Sequence, residues 1–486
     1  MQTQSATSVG VPPDLIERLK AVTGPAGYLD RPEDIAPYCI AWRDNWTGRT
    51  PLVMRPNSTA ELSRIVAFCA EHGVPMVPQG GNTGVTGGGQ PHPDGSEIIV
   101  STNRMRSIRA VDPMGDTITV EAGVPLAEIQ AAARKVGRLF PVSLASEGTC
   151  EIGGNISTNA GGIQVLRYGS TRALVLGLEV VLPDGRVWNG LRALRKDSAG
   201  YDLKQIFIGA EGTLGIVSAA VLRLMPLPSH SETAMVGVDG PAESVRLLGR
   251  LRESLGERVT SFELLRRSCL DYTFAVMPAH SDPLAAVHPW YVMISVDGPD
   301  AGLRGQLEEA LVAAMEEGLV RDAVVASSER QRAALLALRE DQGEVQKLFG
   351  IGIKHDISVP VSRIAEFMER ADSALEATYP GIRLYAFGHV GDGNIHYNPF
   401  APADWDGAAF YAETAKVNRI VHDIVVELGG SISAEHGLGQ LRLGEAEYYK
   451  AAVEMELMRR IKAAIDPLNL MNPGKVLRIR PRPASV

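Results

Sequence analysis

Two histidines and a glutamate in the C-terminal third of the chain have the residue types of a metal-ligand set. His389 and His396 flank a Gly-Asp-Gly turn, and Glu435 lies further along the chain, directly before His436. Two imidazoles and a carboxylate can fill three ligand positions of Zn²⁺, Mn²⁺ or Fe²⁺ and leave other positions open for a substrate. His436 would remain available as a proton acceptor. This combination predicts chemistry at a hydroxylated carbon.

A β-hairpin must bring the two histidines together. If Gly391-Asp392 forms a two-residue turn, His389 pairs with Asn394. Strand alternation then places Asn394, His396 and Asn398 on one face, where both imidazoles can converge on one ion. A loop of odd length without a bulge would place the two histidines on opposite faces instead. The metal prediction is therefore conditional on the turn.

Glycine clusters indicate a second kind of site. The chain contains 50 glycines, many of them in three stretches at 80–89, 146–162 and 209–217. Such loops expose main-chain N–H groups without side chains in the way, which suits a diphosphate. The first stretch matches neither the Gly-x-Gly-x-x-Gly dinucleotide pattern nor the Walker pattern with its lysine. A nicotinamide or ATP site of the usual type is therefore not predicted.

Composition and charge argue against several other function classes. The 48 basic and 57 acidic residues form no basic stripe, so nucleic-acid binding is not expected. The four cysteines are far apart, which disfavours a disulfide framework and an iron–sulfur cluster. No apolar run is long enough to span a bilayer, and residues 1–13 lack a signal-peptide pattern. We therefore predict a cytoplasmic protein without a transmembrane segment.

The elements that position these residues follow from the apolar patterns, which change at Pro226 and Pro228. Before this boundary we predict helices at 13–22 and 59–72 and strands at 74–77, 98–101, 108–111, 117–121 and 176–182. Beyond it we predict strands near 232–239, 259–264, 290–297, 322–327, 351–359 and 382–390, alternating with helices near 241–256, 301–317, 329–348 and 361–378. This alternation predicts an α+β fold with helices on one face of an antiparallel sheet. Two long helices, near 407–428 and 444–465, complete the fold.

Taken in chain order, these motifs carry a family resemblance. The segments are 78–84, 148–149, 153–155, 158–162, 212–217, 388–394, 435–437 and 471–475. In this order they resemble the vanillyl-alcohol-oxidase superfamily with its PCMH-type FAD-binding domain. The most similar subgroup contains the FAD-linked D-2-hydroxyacid dehydrogenases, among them the D-2-hydroxyglutarate and D-lactate dehydrogenases and the glycolate oxidase catalytic subunit. The resemblance covers nearly the whole chain.

The resemblance implies a domain plan and a set of FAD contacts. Residues 1–228 would form the FAD-binding domain, 229–405 the substrate-binding cap domain, and 406–486 a helical segment that packs back on the FAD domain. The implied cofactor-binding residues are Pro78, Gly80, Gly81, Asn82, Thr83, Gly84, Ser146, Gly148, Thr149, Gly153, Asn155, Thr158, Gly162, Glu211, Ile216, Val217 and Asn472. The first loop has no histidine or cysteine, and Cys150 lies in a stretch where the subgroup binds FAD non-covalently. We therefore expect dissociable FAD.

The resemblance also implies substrate contacts. Arg339 and Lys354 match positions that bind the substrate carboxylate in D-2-hydroxyglutarate dehydrogenases, and two cations favour a dicarboxylate. The sequence is equally consistent with Lys354 being a solvated lysine at a strand edge that does not bind substrate. At Gly343 those enzymes carry a hydroxyl residue, which weakens the hydroxyglutarate assignment. Asn398 would orient the hydroxyl or carboxylate, and Arg442 is interpreted as structural.

Together these points predict that a D-2-hydroxyacid is oxidised to the 2-oxo acid, with His436 as the base and flavin N5 as the hydride acceptor. D-2-hydroxyglutarate is the first choice, and D-lactate, D-malate or glycolate are the alternatives. We expect the electron acceptor to be an electron-transfer flavoprotein, a quinone or a cytochrome. A homodimer is left open. The rival classes are a metal-dependent hydrolase and a flavoprotein subunit that only passes electrons.

Overall fold

The computed structural model describes residues 10–43 and 45–479. The expectation about a signal peptide concerns residues 1–13, of which 1–9 lie outside the described residues. Within the described part of the chain, no helix has the length and apolar character needed to cross a membrane.

The N-terminal region builds two main sheets and a short two-stranded one. Its strands are β1 (Tyr28–Leu29), β2 (Val53–Met54), β3 (Met76–Gln79), β4 (Ile98–Ser101), β5 (Ile108–Asp112), β6 (Thr117–Glu121), β7 (Arg138–Leu139), β8 (Val175–Val181), β9 (Val187–Gly190), β10 (Ile216–Arg223) and β11 (Met225–Pro226). The first sheet has the order β1-β2-β4-β3, and β2 and β3 run parallel to β4. The second is antiparallel, in the order β5-β6-β10-β8-β9. Strands β7 and β11 pair separately.

Helices around these sheets follow ordinary capping rules. They are α1 (Pro13–Thr23), α2 (Pro32–Cys39), α3 (Thr59–His72), α4 (Leu126–Lys135), α5 (Ile152–Thr158), α6 (Val165–Tyr168), α7 (Thr171–Leu174) and α8 (Lys204–Phe207). In α3 the side chain of Ser58 accepts the Glu61 N–H, and Gly73 ends the helix at φ +67°. The next strand, β3, delivers the chain into the first glycine stretch.

A seven-stranded antiparallel sheet forms the second half of the molecule. Its strands are β12 (His230–Val238), β13 (Val259–Arg266), β14 (Trp290–Gly298), β15 (Asp322–Val325), β16 (His355–Ser358), β17 (Ala386–His389) and β18 (Asn394–Tyr397). They are arranged in the order β15-β12-β14-β13-β17-β18-β16. The predicted α+β class and antiparallel sheet are confirmed. The strand predicted at 351–359 is shorter than expected.

Helices pack on both faces of this sheet, and not on one face only as predicted. They are α9 (Pro241–Leu255), α10 (Arg267–Val276), α11 (Leu303–Glu316), α12 (Glu329–Glu340), α13 (Gln342–Phe349), α14 (Ile364–Thr378), α15 (Gly407–Ala412), α16 (Thr414–Glu427), α17 (Leu443–Tyr449) and α18 (Ala452–Ile465). Helices α9, α11, α14 and α16 share one core with the sheet, and α10, α12 and α13 share another. The strands are apolar on both sides, so both faces need cover.

Three predicted long helices are each divided in two. Residues 329–348 form α12 and α13, which meet at Asp341; 407–428 form α15 and α16, which meet at Glu413. Residues 444–465 are interrupted by Lys450, whose extended backbone separates α17 from α18. After α18 the chain returns to the first sheet, where Met471 bridges Met76. The buried ammonium of Lys462 donates to Thr213 O and Met471 O and holds this return in place.

The hairpin between β17 and β18 has the predicted register. His389 pairs with Asn394 and Phe387 pairs with His396, so both histidines lie on one face. The connection is longer than predicted: a 3-10 turn at Val390–Asp392 is followed by Gly393 at φ +83°. Four connecting residues preserve the same register as two because both numbers are even.

Candidate active site

A cleft of about 530 Å³ lies where the glycine stretches of the N-terminal region face the seven-stranded sheet. Most of the predicted cofactor residues line it: Pro78, Gly80, Gly81, Asn82, Thr83, Gly84, Ser146, Thr149, Gly153, Asn155, Thr158, Gly162, Glu211, Ile216 and Val217. Gly148 and Asn472 do not line it. The predicted metal ligands and substrate residues, His389, His396, Asn398, Glu435, His436, Arg339 and Lys354, line the same cleft.

The walls of the cleft suit an elongated nucleotide cofactor. A Cβ on Gly81 would lie 2.0 Å from Thr149 O, so the first two glycine stretches pack main chain against main chain. Gly84 and Gly154 face open space, which leaves their main chain accessible. Gln79 Oε1 and Gln90 Oε1 are buried without a hydrogen-bond partner among the described residues. Bare main chain and unsatisfied amides are the groups that a flavin nucleotide would use.

Two predicted cofactor residues brace the cleft from within the protein. Both Glu211 carboxylate oxygens accept main-chain N–H groups, from Leu438 and Gly439, at 2.8 Å. The Asn472 amide donates to Gly88 O and to Glu211 O. Glu211 therefore holds the loop that follows Glu435 and His436, and Asn472 ties the last loop to the cleft wall.

The three predicted metal ligands come together. His389 Nε2 lies 3.7 Å from Glu435 Oε1, and His396 Nε2 lies 4.0 Å from Glu435 Oε2. One ligand atom from each residue lies within 4.8 Å of the other two. Donors bound at about 2.0–2.2 Å around one ion have separations of this order. The nitrogen, nitrogen and oxygen donor set therefore fits a divalent transition metal.

The main chain after α16 brings Glu435 to the two histidines. Ser431 and Ser358 exchange two main-chain hydrogen bonds, which extend the sheet edge beyond β16. Glu435 Oε1 also accepts the Gly162 N–H at 2.8 Å. A Cβ on Gly161 would lie 2.7 Å from the same oxygen. The approach of the carboxylate to the second glycine stretch therefore requires glycine.

Glu263 stands behind His389. Its Oε1 lies 2.6 Å from His389 Nδ1, and its Oε2 accepts from Arg339 Nε at 2.6 Å. Burial favours neutral imidazole, but the Glu263 carboxylate outweighs burial and raises the pKa of His389 to about 9. A carboxylate on the far ring nitrogen is the usual support of a metal-binding histidine. An ion at Nε2 would have to displace the second proton.

Asp356 lies beside His436, the predicted proton acceptor. Its Oδ2 accepts the N–H groups of Glu435 and His436 at 2.9 Å and lies 3.3 Å from His436 Nδ1. Its Oδ1 accepts from the Asn394 amide at 3.0 Å. Burial lowers the pKa of His436 despite Asp356, so the imidazole is neutral at pH 7 and can take up a proton. The same carboxylate would stabilise the imidazolium that forms.

Asp356, His396 and His436 form a second group with ligand-like spacing. Three N–H groups already occupy the Asp356 oxygens, whereas in the first group Glu435 Oε2 accepts no hydrogen bond from the described residues. The group of His389, His396 and Glu435 is therefore the better metal site.

The predicted substrate residues differ in the hydrogen bonds and ion pairs that they already make within the protein. Arg339 is held by Glu263, and its Nη2 lies 3.2 Å from His389 Nε2. Asn398 accepts from the His355 N–H and donates to Gln346, so it positions β16 and α13 as well as lining the cleft. Lys354 is half-buried directly before β16. Burial, together with nearby Arg43, lowers its pKa to about 7. Arg442, interpreted as structural, lines the cleft and donates to Ile432 O.

Sequence reasoning missed Glu263, Asp356 and Arg43. Glu263 stands in the otherwise apolar segment Phe262–Leu265, and a carboxylate there is a signal, because buried charges need partners. For Asp356 the only signal in the sequence was its position two residues after Lys354. Arg43 offered no signal, because the hairpin that carries it lies far from the other site residues in the chain.

Comparisons with known proteins agree with this architecture. Residues 50–190 match the family described as "FAD binding domain", and residues 227–476 match "FAD linked oxidases, C-terminal domain". Among solved structures, p-cresol methylhydroxylase with substrate bound has a TM-score of 0.75 at 16% identity and covers 96% of this chain and 98% of its own. An alkyldihydroxyacetonephosphate synthase has a TM-score of 0.74 at 18% identity, covering 97% and 87%. These two likenesses show the fold alone.

Curated relatives are closer in sequence. A protein of Oryza sativa subsp. indica named "Probable D-2-hydroxyglutarate dehydrogenase, mitochondrial" is 36% identical over 467 residues, which is 96% of this chain and 82% of that protein. The D-2-hydroxyglutarate dehydrogenase of Xanthomonas citri pv. viticola is 35% identical over 455 residues, covering 94% and 95%. The mitochondrial enzyme of that name from Bos taurus is 36% identical over 456 residues, covering 93% and 81%.

The chain therefore belongs to the FAD-linked oxidases, in the family that contains these dehydrogenases. The family resemblance drawn from the motifs is confirmed, and so is the prediction of an FAD-dependent oxidoreductase.

Proposed function

We propose that this protein oxidises a D-2-hydroxyacid to the 2-oxo acid in a reaction that depends on FAD and a divalent metal, with D-2-hydroxyglutarate as the preferred substrate. The names of the curated relatives support this substrate class. D-lactate, D-malate and glycolate are the alternatives within the same reaction.

One contact carries the proposal. Glu435 Oε1 accepts the Gly162 N–H from the second glycine stretch and lies 3.7 Å from His389 Nε2 in the metal group. The Glu435 carboxylate thus belongs both to the group that would hold the metal and to the cleft wall that would hold the flavin. A hydroxyl bound at the metal group would therefore lie beside the cofactor cleft, as direct hydride transfer requires.

The protein groups divide the remaining work. Bound FAD supplies the hydride acceptor at flavin N5. A divalent ion held by His389, His396 and Glu435 would supply Lewis acidity toward the substrate hydroxyl. His436, neutral through burial, accepts the hydroxyl proton. Asp356 keeps its carboxylate at the other side of that imidazole, so the protonated form is stabilised as the substrate is oxidised.

Two cations support a carboxylate-bearing substrate. Arg339 keeps its guanidinium beside His389 of the metal group because Glu263 fixes it, and Lys354 lines the same cleft. The Glu263 ion pair means that Arg339 is oriented before substrate arrives, which lowers the entropy cost of binding. Zinc as the metal, the cytoplasmic location and the electron acceptor stay predictions.

Anaerobic flavin reduction tests the proposal. The purified holoenzyme should show flavin absorbance that D-2-hydroxyglutarate bleaches without oxygen and that the L-enantiomer does not. D-lactate and D-malate, run alongside, rank the alternatives. A flavoprotein that no 2-hydroxyacid bleaches would contradict the proposed function and would favour a subunit that only passes electrons.

A further inference from the structure

The cleft is also lined by an arginine, Arg43, that the reaction outlined above does not use. Ile40 and Thr47 form an antiparallel bridge, and the Ala41 N–H donates to Trp46 O. We call residues 40–43 and 45–47, which include Trp42 and Arg43, the hairpin. The Asn45 amide donates to Val85 O, and the Trp46 indole donates to Pro91 O. These bonds fasten the hairpin to the first glycine stretch and to Pro91 just after it. Both Trp42 and Arg43 line the cleft.

The hairpin reaches the seven-stranded half of the molecule beside Gly343. The Lys347 ammonium lies 5.4 Å from the centre of the Trp42 ring, and Lys347 follows Gly343 by one turn of α13. Gly343 lines the cleft, and a Cβ built there meets no atom within 4 Å. An open space therefore lies in the cleft wall, at the place that the hairpin covers.

Among the residues that the structure describes, Arg43 and Lys354 have no ion-pair partner, and both line the cleft. Within residues 10–43 and 45–479, no carboxylate oxygen lies within 4.0 Å of either side chain's nitrogen atoms. Asp356 is near enough to act on Arg43 through space, but its oxygens already accept three N–H groups. Arg43 in turn lowers the pKa of Lys354. Two like charges held together and partly buried are destabilising unless an anion joins them.

We infer that Arg43, together with Lys354, binds the second carboxylate of a dicarboxylic D-2-hydroxyacid, whose carbon chain occupies the space left by Gly343. This inference rests on the proposed function, because it assigns the far end of the same substrate. The planar guanidinium offers two parallel N–H donors to a carboxylate, and the ammonium adds a point charge. Arg43 is thus a residue that determines specificity for diacids over monoacids of equal length.

The test compares two acids that differ only at the far end. D-2-hydroxyglutarate and D-2-hydroxyvalerate have the same number of carbons, but the second has a methyl group in place of the distal carboxylate. In the Arg43→Met holoenzyme, kcat/KM for D-2-hydroxyglutarate should fall about 10- to 100-fold, since a charged hydrogen bond is lost. The value for D-2-hydroxyvalerate should change less than about threefold, and FAD content should not change. Arg49→Met is the matched control, because Arg49 is an exposed arginine on the same hairpin's return and does not line the cleft.

The other outcomes overturn the inference. Equal losses with both acids, no loss with either, or loss of FAD would each show that Arg43 does not read the distal carboxylate. If Arg43→Met does not fold, Arg43→Lys decides: it should lower the preference for the diacid partway, and an unchanged preference would contradict the inference. A wild-type holoenzyme that neither acid reduces would instead contradict the proposed function.

Discussion

At the scale of single residues, the site depends on carboxylates that support histidines. Glu263 backs His389 at 2.6 Å, and Asp356 lies 3.3 Å from His436. Glu263 raises the pKa of His389, whereas burial lowers the pKa of His436 despite Asp356. The pKa values of two histidines in one cleft are thus shifted in opposite directions by the groups around them.

Removing the proton acceptor should slow the chemical step without emptying the site. In His436→Ala, the rate of anaerobic flavin reduction by D-2-hydroxyglutarate should fall roughly 10²- to 10⁴-fold, the usual contribution of a general base. FAD and metal content should stay at wild-type levels, because neither group rests on this imidazole. Stopped-flow absorbance measures the rate, and His230→Ala, outside the cleft, is the control. Unchanged bleaching would remove His436 as the base.

Lys354 should give diacid oxidation a pH dependence of its own. Its pKa is lowered to about 7, so the ammonium dominates below pH 7 and is lost as pH rises. The ratio of kcat/KM for D-2-hydroxyglutarate to that for D-lactate should therefore fall above pH 7, by up to about tenfold per pH unit as the charged fraction falls. Taking the ratio cancels His436, which both substrates use. If the ratio does not change with pH, or if its pH dependence is the same in Lys354→Met, Lys354 does not bind the substrate and has a structural role.

At the scale of elements, the β17–β18 hairpin carries both histidines of the proposed metal site, one on each side of a short connection. Gly393 takes φ +83° at its end, and a Cβ there would lie 2.0 Å from Val359 O. Backbone conformation and lack of space both require glycine. The orientation of His389 relative to His396 therefore depends on one residue without a side chain.

Gly393→Ala should reduce both stability and metal content. Gly381→Ala is the control, because Gly381 has a similar φ of +80° but open space around its Cβ position. The two variants share the backbone penalty, and the clash should destabilise Gly393→Ala by about 1–3 kcal/mol more. Denaturant unfolding gives the difference in free energy, and elemental analysis gives the metal. Equal stability and full metal occupancy in both variants would show that the hairpin tolerates a shifted turn.

At the scale of the whole molecule, the site joins two halves. His389 and His396 come from the seven-stranded sheet. Glu435 follows Ser431, which pairs with the edge of that sheet, and its carboxylate accepts the Gly162 N–H from the N-terminal region. Glu211 of the N-terminal region holds the loop after His436. An ion at this junction would therefore tie cofactor binding, substrate binding and the packing of the two halves together.

Metal removal should accordingly affect activity and stability together. Dialysis of the holoenzyme against a chelator should abolish substrate-driven flavin reduction and lower the melting temperature, because a ligand that binds only the folded state stabilises it. Adding Zn²⁺, Mn²⁺ or Fe²⁺ back in turn should restore both and identify the metal. In Glu435→Gln, neither dialysis against the chelator nor addition of the ion should change flavin reduction or the melting temperature. Full activity in demonstrably metal-free protein would end the metal proposal.

Much of this molecule follows from local sequence. The sequence predicted that His389 and His396 share one face of a hairpin and that the glycine stretches line a cofactor site. Both predictions were possible because strand alternation and missing side chains act over a few residues. The helices were less so: the breaks at Glu413 and Lys450 carry no proline or glycine, and packing decided them.

The tertiary structure alone decided which distant groups meet. Glu263 comes from β13, Asp356 from the edge strand β16 and Arg43 from an N-terminal hairpin, yet all three lie at one cleft or directly behind it. No spacing along the chain records that meeting, because sheet order and loop packing set it. For the same reason the sequence did not show that Glu211, a predicted cofactor residue, also holds the loop after His436. The sequence by itself indicated which side chains could do the chemistry. The tertiary structure decided which carboxylates and cations lie beside them and shift their pKa values.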